Sequence, residues 1–459
     1  MMGALGLESR LSRPSLWALL GVLLGILAIT LPELGSEPWP FRTGTVEPRG
    51  LLAPLVRAAG EEWDVGIARS ACFLAALCLA LLGAAGLRRR TWPAWLGAAL
   101  VLGIALALLA PSTLLQVGLR DGTDPWFHTN DSTYQIEIAG ELILDGENPY
   151  GHDYRFSGME RFYTFDGTES DRIREREVSL EHYAYFPGTA IVSAVWRLLP
   201  RPFDDFRVFV LLMTLGGFAA AMAFRAPLGW RLVIGALVVA NPIAVRSAWF
   251  GQNDAPSITL MILAFALLSR GRYRWAAVSL AGAVLLKQFA VVAIPFLALA
   301  LVKRDLERKE LRGCALAFAG VVAAGVLPFL IADPVAFYED TVKFGAGTYK
   351  IVGYGLSGIL VRAGILADRD GAYPFALIAL LTWLPLTAWL LVQAHRAREL
   401  WVTAAAFSIS ILVLLFIGRT FNNYYLLWPM MGAAIAALLH AGEEAQRGSP
   451  PARQRGLGS

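Results

Sequence analysis

Long apolar runs with almost no charge recur along this chain, and they leave it few ways to fold. They lie at 16–32, 69–87, 93–112, 206–224, 231–247, 313–331, 373–392, 400–417 and 424–440. Each is close to the length of about 20 apolar residues that a helix needs to cross a bilayer. Shorter runs lie at 187–200 and 255–269. The run 275–302 is longer and is broken by Lys287 and Pro295. It reads as one tilted helix or as two half-helices forming a hairpin. No run alternates with period two, so a membrane β-barrel is not indicated. Only 17% of the residues are charged and 56% are hydrophobic, where a soluble chain carries roughly a quarter charged. The expected fold is an all-α polytopic membrane protein of about 11–13 transmembrane helices.

Other classes are excluded early. Cys72, Cys78 and Cys314 lie in apolar runs with no paired spacing, so neither a disulfide framework nor a cysteine metal site is expected. The net charge is +4 and no basic tract is present, so nucleic acid is not an expected partner. Arg10 and Arg13 precede the first run as in a signal peptide. The run is long and 33–40 offers no small-residue cleavage site, so it reads as a retained helix.

Arginine and lysine in short loops give the orientation. Arg88, Arg89 and Arg90 mark one cytoplasmic loop. Lys303, Arg304, Arg308, Lys309 and Arg312 mark a second, and Arg396 and Arg398 a third; Arg447, Arg453 and Arg455 mark the tail. Both termini are then cytoplasmic and 113–186 is on the outer face of a plasma membrane. If Arg270, Arg272 and Arg274 are also cytoplasmic, one of the four runs between 187 and 269 does not cross and 275–302 is a hairpin. This is the preferred reading. The chain divides into N-terminal helices (1–112), an outer loop (113–186), core helices (187–302), C-terminal helices with an outer loop 333–372 (303–441) and a disordered tail (442–459).

Polar chemistry concentrates in few places. Segment 113–186 holds 15 Asp and Glu against 6 Arg, a net charge of −9, and is rich in aromatic residues. Its length and aromatic content predict a folded subdomain rather than a linker. Asn130-Asp131-Ser132-Thr133 starts a helix with a Ser132/Gln135 capping box. Tyr134, Ile138 and Leu142 give it a stripe that predicts an amphipathic helix on the membrane surface. Asp131 reads equally well as a helix cap and as a general base at the lipid–water boundary. Glu181-His182-Tyr183-Ala184-Tyr185-Phe186 precedes the next run as an aromatic belt, with His182 and Tyr183 as candidate substrate contacts. Arg246 and Gly251-Gln252-Asn253-Asp254 interrupt apolar runs, and such groups default to a functional reading. Lys287, flanked by apolar residues, either snorkels or meets an anion, and a lipid phosphate is the natural one in a membrane.

The spacing of these residues resembles a known family. Asp131 and Tyr134, then Ala139, then Gly146-Glu147-Asn148-Pro149-Tyr150 are similar to the first outer loop of GT-C glycosyltransferases. The bacterial polyprenyl-phosphate-mannose-dependent mannosyltransferases, the DUF2029 group, are the branch most resembled. Tyr185-Phe186-Pro187-Gly188, Gly251-Gln252-Asn253-Asp254, Arg270-Gly271-Arg272 and Ala281-Gly282 leading to Lys287 extend the likeness over roughly 125–440. The resemblance implies a GT-C-like bundle with an active site on the outer face. It implies transfer of a sugar from a polyprenyl-phosphate donor to an acceptor hydroxyl of a lipid, glycan or protein. On that pattern Asp131 is the base and Lys287 stabilises the leaving phosphate, while His182, Tyr183, Arg246, Gln252, Asn253 and Asp254 are donor- or substrate-binding candidates. No cofactor or metal is implied beyond the lipid-linked donor. One departure is that three candidate helices precede Asp131. Either two are an addition, or the loop 33–68 is the equivalent, with Asp64 as rival base. Two other classes stay open: a lipid or oligosaccharide transporter, which would spread ionisable groups along helices at midplane, and a non-catalytic envelope-assembly protein.

Overall fold

The computed structural model describes residues 10–34, 50–59, 65–121, 129–159, 162, 180–348 and 350–447. Asp64, Tyr349, Arg453 and Arg455 lie outside them. Among the described residues nearly all regular structure is helical, and six helices are long and apolar enough to cross a bilayer, or seven if one bent pair is a single span. The contacts at helix ends define two faces, a basic end and an opposite end that carries a large cavity.

The chain begins at the basic end. Strand β1 (Arg10–Ser12) pairs antiparallel with β2 (Thr91–Pro93), Arg10 opposite Pro93. Between them α1 (Arg13–Thr30) rises, the short α2 (Ala53–Ala59) follows, and α3 (Val65–Ala85) returns to Arg88. Helix α4 (Ala94–Asp121) rises again. These helices pack into the body of the bundle. Leu16, Leu23 and Leu108 share one core with Leu232, Val239 and Trp249 from later in the chain, and Trp249 Nε1 donates to the Leu108 carbonyl at 2.8 Å.

Two helices remain at the cavity end. Helix α5 (Asp131–Leu144) packs on α6 (Pro187–Trp196) so closely that a Cβ on Gly140 would lie 2.6 Å from Ser193 Oγ. Arg120, in the last turn of α4, pairs with Glu137 of α5 and with Asp205 just beyond α6. Arg197 after α6 pairs with Glu141 and Asp204. Both ends of α6 are therefore at the cavity end. Its 10 residues rise about 15 Å, half of a hydrocarbon core. The predicted surface helix needs correction here. Thr133, Gln135, Ile136, Glu137 and Ala139 are all buried, because tertiary partners satisfy its polar side chains. Nor does the predicted capping box form. Asn130 is the cap, accepting from Ser132 N at 2.9 Å, while Gln135 Nε2 donates to the His182 carbonyl.

Helix α7 (Phe206–Met222) returns to the basic end, where Arg225 N donates to Ser269 Oγ. Helices α8 (Leu228–Ala240) and α9 (Pro242–Phe250) rise as a pair bent by 41°. Asn241 caps α9 and Pro242 starts it. Gly251 closes α9 at φ 72°, a conformation that favours glycine; its carbonyl accepts from Thr133 of α5. Helix α10 (Asp254–Ser269) descends to the Arg270–Arg272 turn, and α11 (Tyr273–Leu286) rises beside it, Ser257 Oγ donating to the Ala283 carbonyl. Helix α11 stops at Lys287, whose backbone is extended at φ −155°, ψ 123°. A 3₁₀ turn Gln288–Val292 and α12 (Ala293–Val302) lead back. Lys303 Nζ then donates to the carbonyls of Ala394 and Glu399 at the basic end. The segment 275–302 is thus a hairpin that turns at Lys287, and α6 is the run that does not cross.

The remaining helices alternate. Helix α13 (Arg308–Ala332) rises to α14 (Pro334–Tyr338) and a π-helical segment Glu339–Thr348. Strand β3 (Val352–Gly353) pairs parallel with β4 (Thr420–Phe421), with α15 (Leu356–Arg362) between. Helix α16 (Phe375–Arg396) descends, α17 (Trp401–Phe416) rises and α18 (Leu427–Arg447) descends. Helix α18 runs past the expected boundary at 442, burying Ala441 and Gly442 and pairing Arg447 with Glu399 at 2.9 Å.

Candidate functional site

A cavity of about 900 Å³ opens at the end opposite the arginine-rich turns. Its walls come from the start of α5, the strand-like segment 182–186, the α9–α10 junction, the Lys287 turn, the π-helical segment and the stretch 418–425. The lining mixes polar groups with apolar ones, among them Ile243, Val291, Phe375, Trp383 and Leu414.

Most of the sequence candidates converge there. Asp131, His182, Arg246, Gln252, Asn253, Asp254 and Lys287 all line the cavity. Asp131 is the first residue of α5, and its Oδ1 accepts from Ser132 N at 2.7 Å. The positive end of the helix favours its charged form. Lys287 Nζ lies 2.8 Å from Asn253 Oδ1 and 3.7 Å from Asp254 Oδ1, in a side-chain setting 8% exposed. Asp254 Oδ1 also accepts from Trp428 Nε1 at 2.8 Å. Asn253 Nδ2 and Asp254 Oδ2 are buried with no hydrogen-bond partner among the described residues. The lysine therefore neither snorkels nor stands alone. The break after Leu286 aims it at the α9–α10 junction. Gln252 receives the Ser247 hydroxyl at 2.7 Å, and the Arg246 guanidinium lies 5.7 Å from the Phe250 ring centre.

Tyr183 is the exception and is corrected here. Its ring is fully buried away from the cavity among Tyr150, Tyr154 and Tyr185, and its hydroxyl meets Thr189 Oγ1 at 2.7 Å. Alternation along the extended segment sends Tyr183 opposite its neighbours His182 and Ala184, and the bend at Tyr185 returns that ring to the cavity. His182 and Tyr185 line the cavity and Tyr183 points into the outer-loop core.

Several site residues escaped the sequence reading. Tyr185 was dismissed as a belt aromatic, yet Lys287 Nζ sits 5.1 Å from its ring centre. Burial, and next the charge of Asp131, push its hydroxyl well above the usual value, against a hydrogen bond to the Ser132 side chain. Tyr185 thus spans the gap between the start of α5 and the Lys287 turn. Asp340 meets His182 Nδ1 at 2.7 Å, 158 residues away, with no local pattern to announce it. Arg419, 5% exposed, brings a second guanidinium to the wall.

The sequence model of glycosyltransferase family 87 matches residues 183–418. That range includes Arg246, Gln252, Asn253, Asp254 and Lys287 and leaves out Asp131 and His182. Among solved structures, that of ArnT from Cupriavidus metallidurans bound to undecaprenyl phosphate is similar with a TM-score of 0.47 and 18% sequence identity. The match covers 77% of this chain and 60% of that one. No curated protein sequence matches.

Proposed function

Because the chain belongs to glycosyltransferase family 87, we propose that it transfers a sugar from a polyprenyl-phosphate donor to an acceptor hydroxyl in the cavity beside α5. Mannose is the proposed sugar, on the sequence resemblance alone. The acceptor is a lipid, glycan or protein hydroxyl. The observation that carries the reading is the convergence of Asp131, Arg246, Arg419 and Lys287 on one cavity that apolar side chains also line. A lipid-linked sugar phosphate needs both kinds of lining.

The chemistry is an inverting displacement. The acceptor oxygen attacks the anomeric carbon from the face opposite the phosphate, and its proton passes to the Asp131 carboxylate. The carbon–oxygen bond to phosphate breaks and its electron pair stays with the phosphate oxygen. Arg246, Arg419 and Lys287 supply positive charge where that negative charge grows. An ammonium has three donors. Asn253 takes one, and Asp254 lies close enough to hold the charge without using all the rest. The reaction as proposed draws on no metal. The arginine-rich turns at the opposite end support an orientation with both termini cytoplasmic and the cavity on the outer face of the plasma membrane.

The test is donor consumption. Purified protein in nanodiscs receives polyprenyl-phosphate mannose, other polyprenyl-phosphate sugars and nucleotide sugars in turn, each with a membrane extract as the acceptor source. Release of polyprenyl phosphate from the lipid-linked donors alone is expected. Turnover of nucleotide sugars alone, or of no sugar at all, defeats the reading.

A further inference from the structure

His182 and Asp340 form a pair to which the reaction above gives no task. Asp340 comes from the π-helical segment and is 2% exposed. Its Oδ1 lies 2.7 Å from His182 Nδ1. Its Oδ2 accepts from two backbone amides, Gly151 N at 2.9 Å and Tyr183 N at 3.2 Å. A carboxylate can only accept. In the neutral imidazole Nδ1 therefore carries the proton and Nε2 keeps a lone pair. Phe344 fixes the ring from one side, with centroids 4.7 Å apart. The side chain stays 23% exposed on the cavity wall. The backbone is fixed as well, because Gln135 Nε2 donates to the His182 carbonyl at 2.9 Å. Gln135 is one helical turn from Asp131, on the same face of α5, so His182 stands beside the proposed base.

We propose that His182 Nε2 accepts a hydrogen bond from a substrate hydroxyl, in the tautomer that Asp340 imposes. The inference rests on the glycosyl-transfer reading and adds a sugar-recognition residue to it. His182 is the binding residue and Asp340 a positioning residue behind it. The hydroxyl belongs either to the transferred sugar or to the acceptor, and both offer the same donor group.

The Asp340 environment supplies a selective test. In Asp340→Asn the two amides at the Oδ2 position claim the new amide oxygen. The amide NH₂ must then face His182 Nδ1, which becomes the acceptor, and the proton moves to Nε2. Size is unchanged and only the direction of the hydrogen bond is reversed. ¹⁵N spectra of histidine-labelled protein in nanodiscs read the tautomer without any substrate, with the His182 signal assigned by its loss in His182→Phe. Transfer kinetics are then measured against donor and acceptor separately. The expected result is an Nδ1–H tautomer in the native protein and Nε2–H in Asp340→Asn. The KM for one substrate rises about tenfold, as for one lost hydrogen bond, with kcat little changed. The substrate whose KM moves is the one that carries the hydroxyl. His182→Phe keeps the ring against Phe344 and should raise the same KM, which covers the case of a poorly folded Asp340→Asn. A switched tautomer with both KM values unchanged overturns the inference, as does a native protein already in the Nε2–H form. A native protein that turns over no donor defeats the glycosyl-transfer reading and this substrate class with it. The tautomer is still read in that case, so the two failures are distinct.

Discussion

Lys287 and Asp254 form a buried ion pair where two helix hairpins meet, Nζ 3.7 Å from Oδ1, with side chains 8% and 2% exposed. The lysine ends α11 and the aspartate begins α10. Trp428 from α18 holds the same carboxylate oxygen. Three separate parts of the chain thus meet at one charge pair, beside the cavity.

Lys287→Met should destabilise the protein, because it leaves the Asp254 carboxylate buried without its counter-charge. Breaking a buried pair costs about 3–5 kcal/mol. Lys287→Met with Asp254→Asn removes both charges and keeps an acceptor for Trp428, so most of that loss should return. Thermal unfolding in nanodiscs compares the two. A double variant as unstable as the single one would show that the pair is not what matters. The refolded double variant then allows a donor titration. Weaker donor binding is expected, and unchanged affinity removes Lys287 from the phosphate site.

Asp131→Asn should lower transfer by a factor of about 10² to 10⁴, the usual cost of losing a general base, with little change in the unfolding temperature. Asn130 remains the cap of α5, and the new amide oxygen can still accept from Ser132 N. The proton acceptor is lost together with the carboxylate charge at the helix start, worth only about 0.3–1 kcal/mol. Turnover near the native rate would reduce Asp131 to a helix-end residue.

Asp205 should make the cavity end sensitive to acid. Burial pushes its carboxyl up, but the Arg207 and Arg120 guanidinium groups outweigh that and hold it below the usual carboxylate range. Its folded pKa is thus below its unfolded one. The stability it adds is present above the unfolded value, about 3.9, and is lost as pH falls through the folded value. Asp205→Asn should unfold at a lower temperature than the native protein at pH 7, and the gap should close below about pH 4. A gap that does not change with pH would contradict the pairing.

Labelling fixes the orientation. Glu147 and Arg272 are both exposed, one near the cavity and the other in the Arg270–Arg272 turn. In a background lacking Cys72, Cys78 and Cys314, Glu147→Cys should react with an impermeant maleimide on intact cells, and Arg272→Cys only after lysis. The reverse pattern turns the protein over in the membrane.

The sequence revealed the helices because lipid imposes length and hydropathy on each run locally, and 206–224 or 400–417 needed no distant information. It also marked Lys287, because a charge in an apolar run is conspicuous alone. What it hid depends on distant partners. Glu137 falls on the polar side of an amphipathic pattern; its partners are Arg120, 17 residues before it, and the Phe206 backbone amide beyond α6. Asp340 sits in an outer loop of ordinary composition, with no local pattern to mark it. Tyr183 and Tyr185 have the same parity and read alike, and it is the bend at Tyr185 that turns its ring to the cavity while Tyr183 packs into the outer-loop core.

The shortness of α6 sets the parity of everything after it. An insertion of about ten apolar residues there would make it a crossing helix. The downstream helices would then enter the membrane in the opposite sense. Asp131 would stay on its present side while Lys287, Asp254 and Arg419 moved to the other, and the two halves of the cavity could never meet. In this chain a site is assembled because one helix fails to reach across.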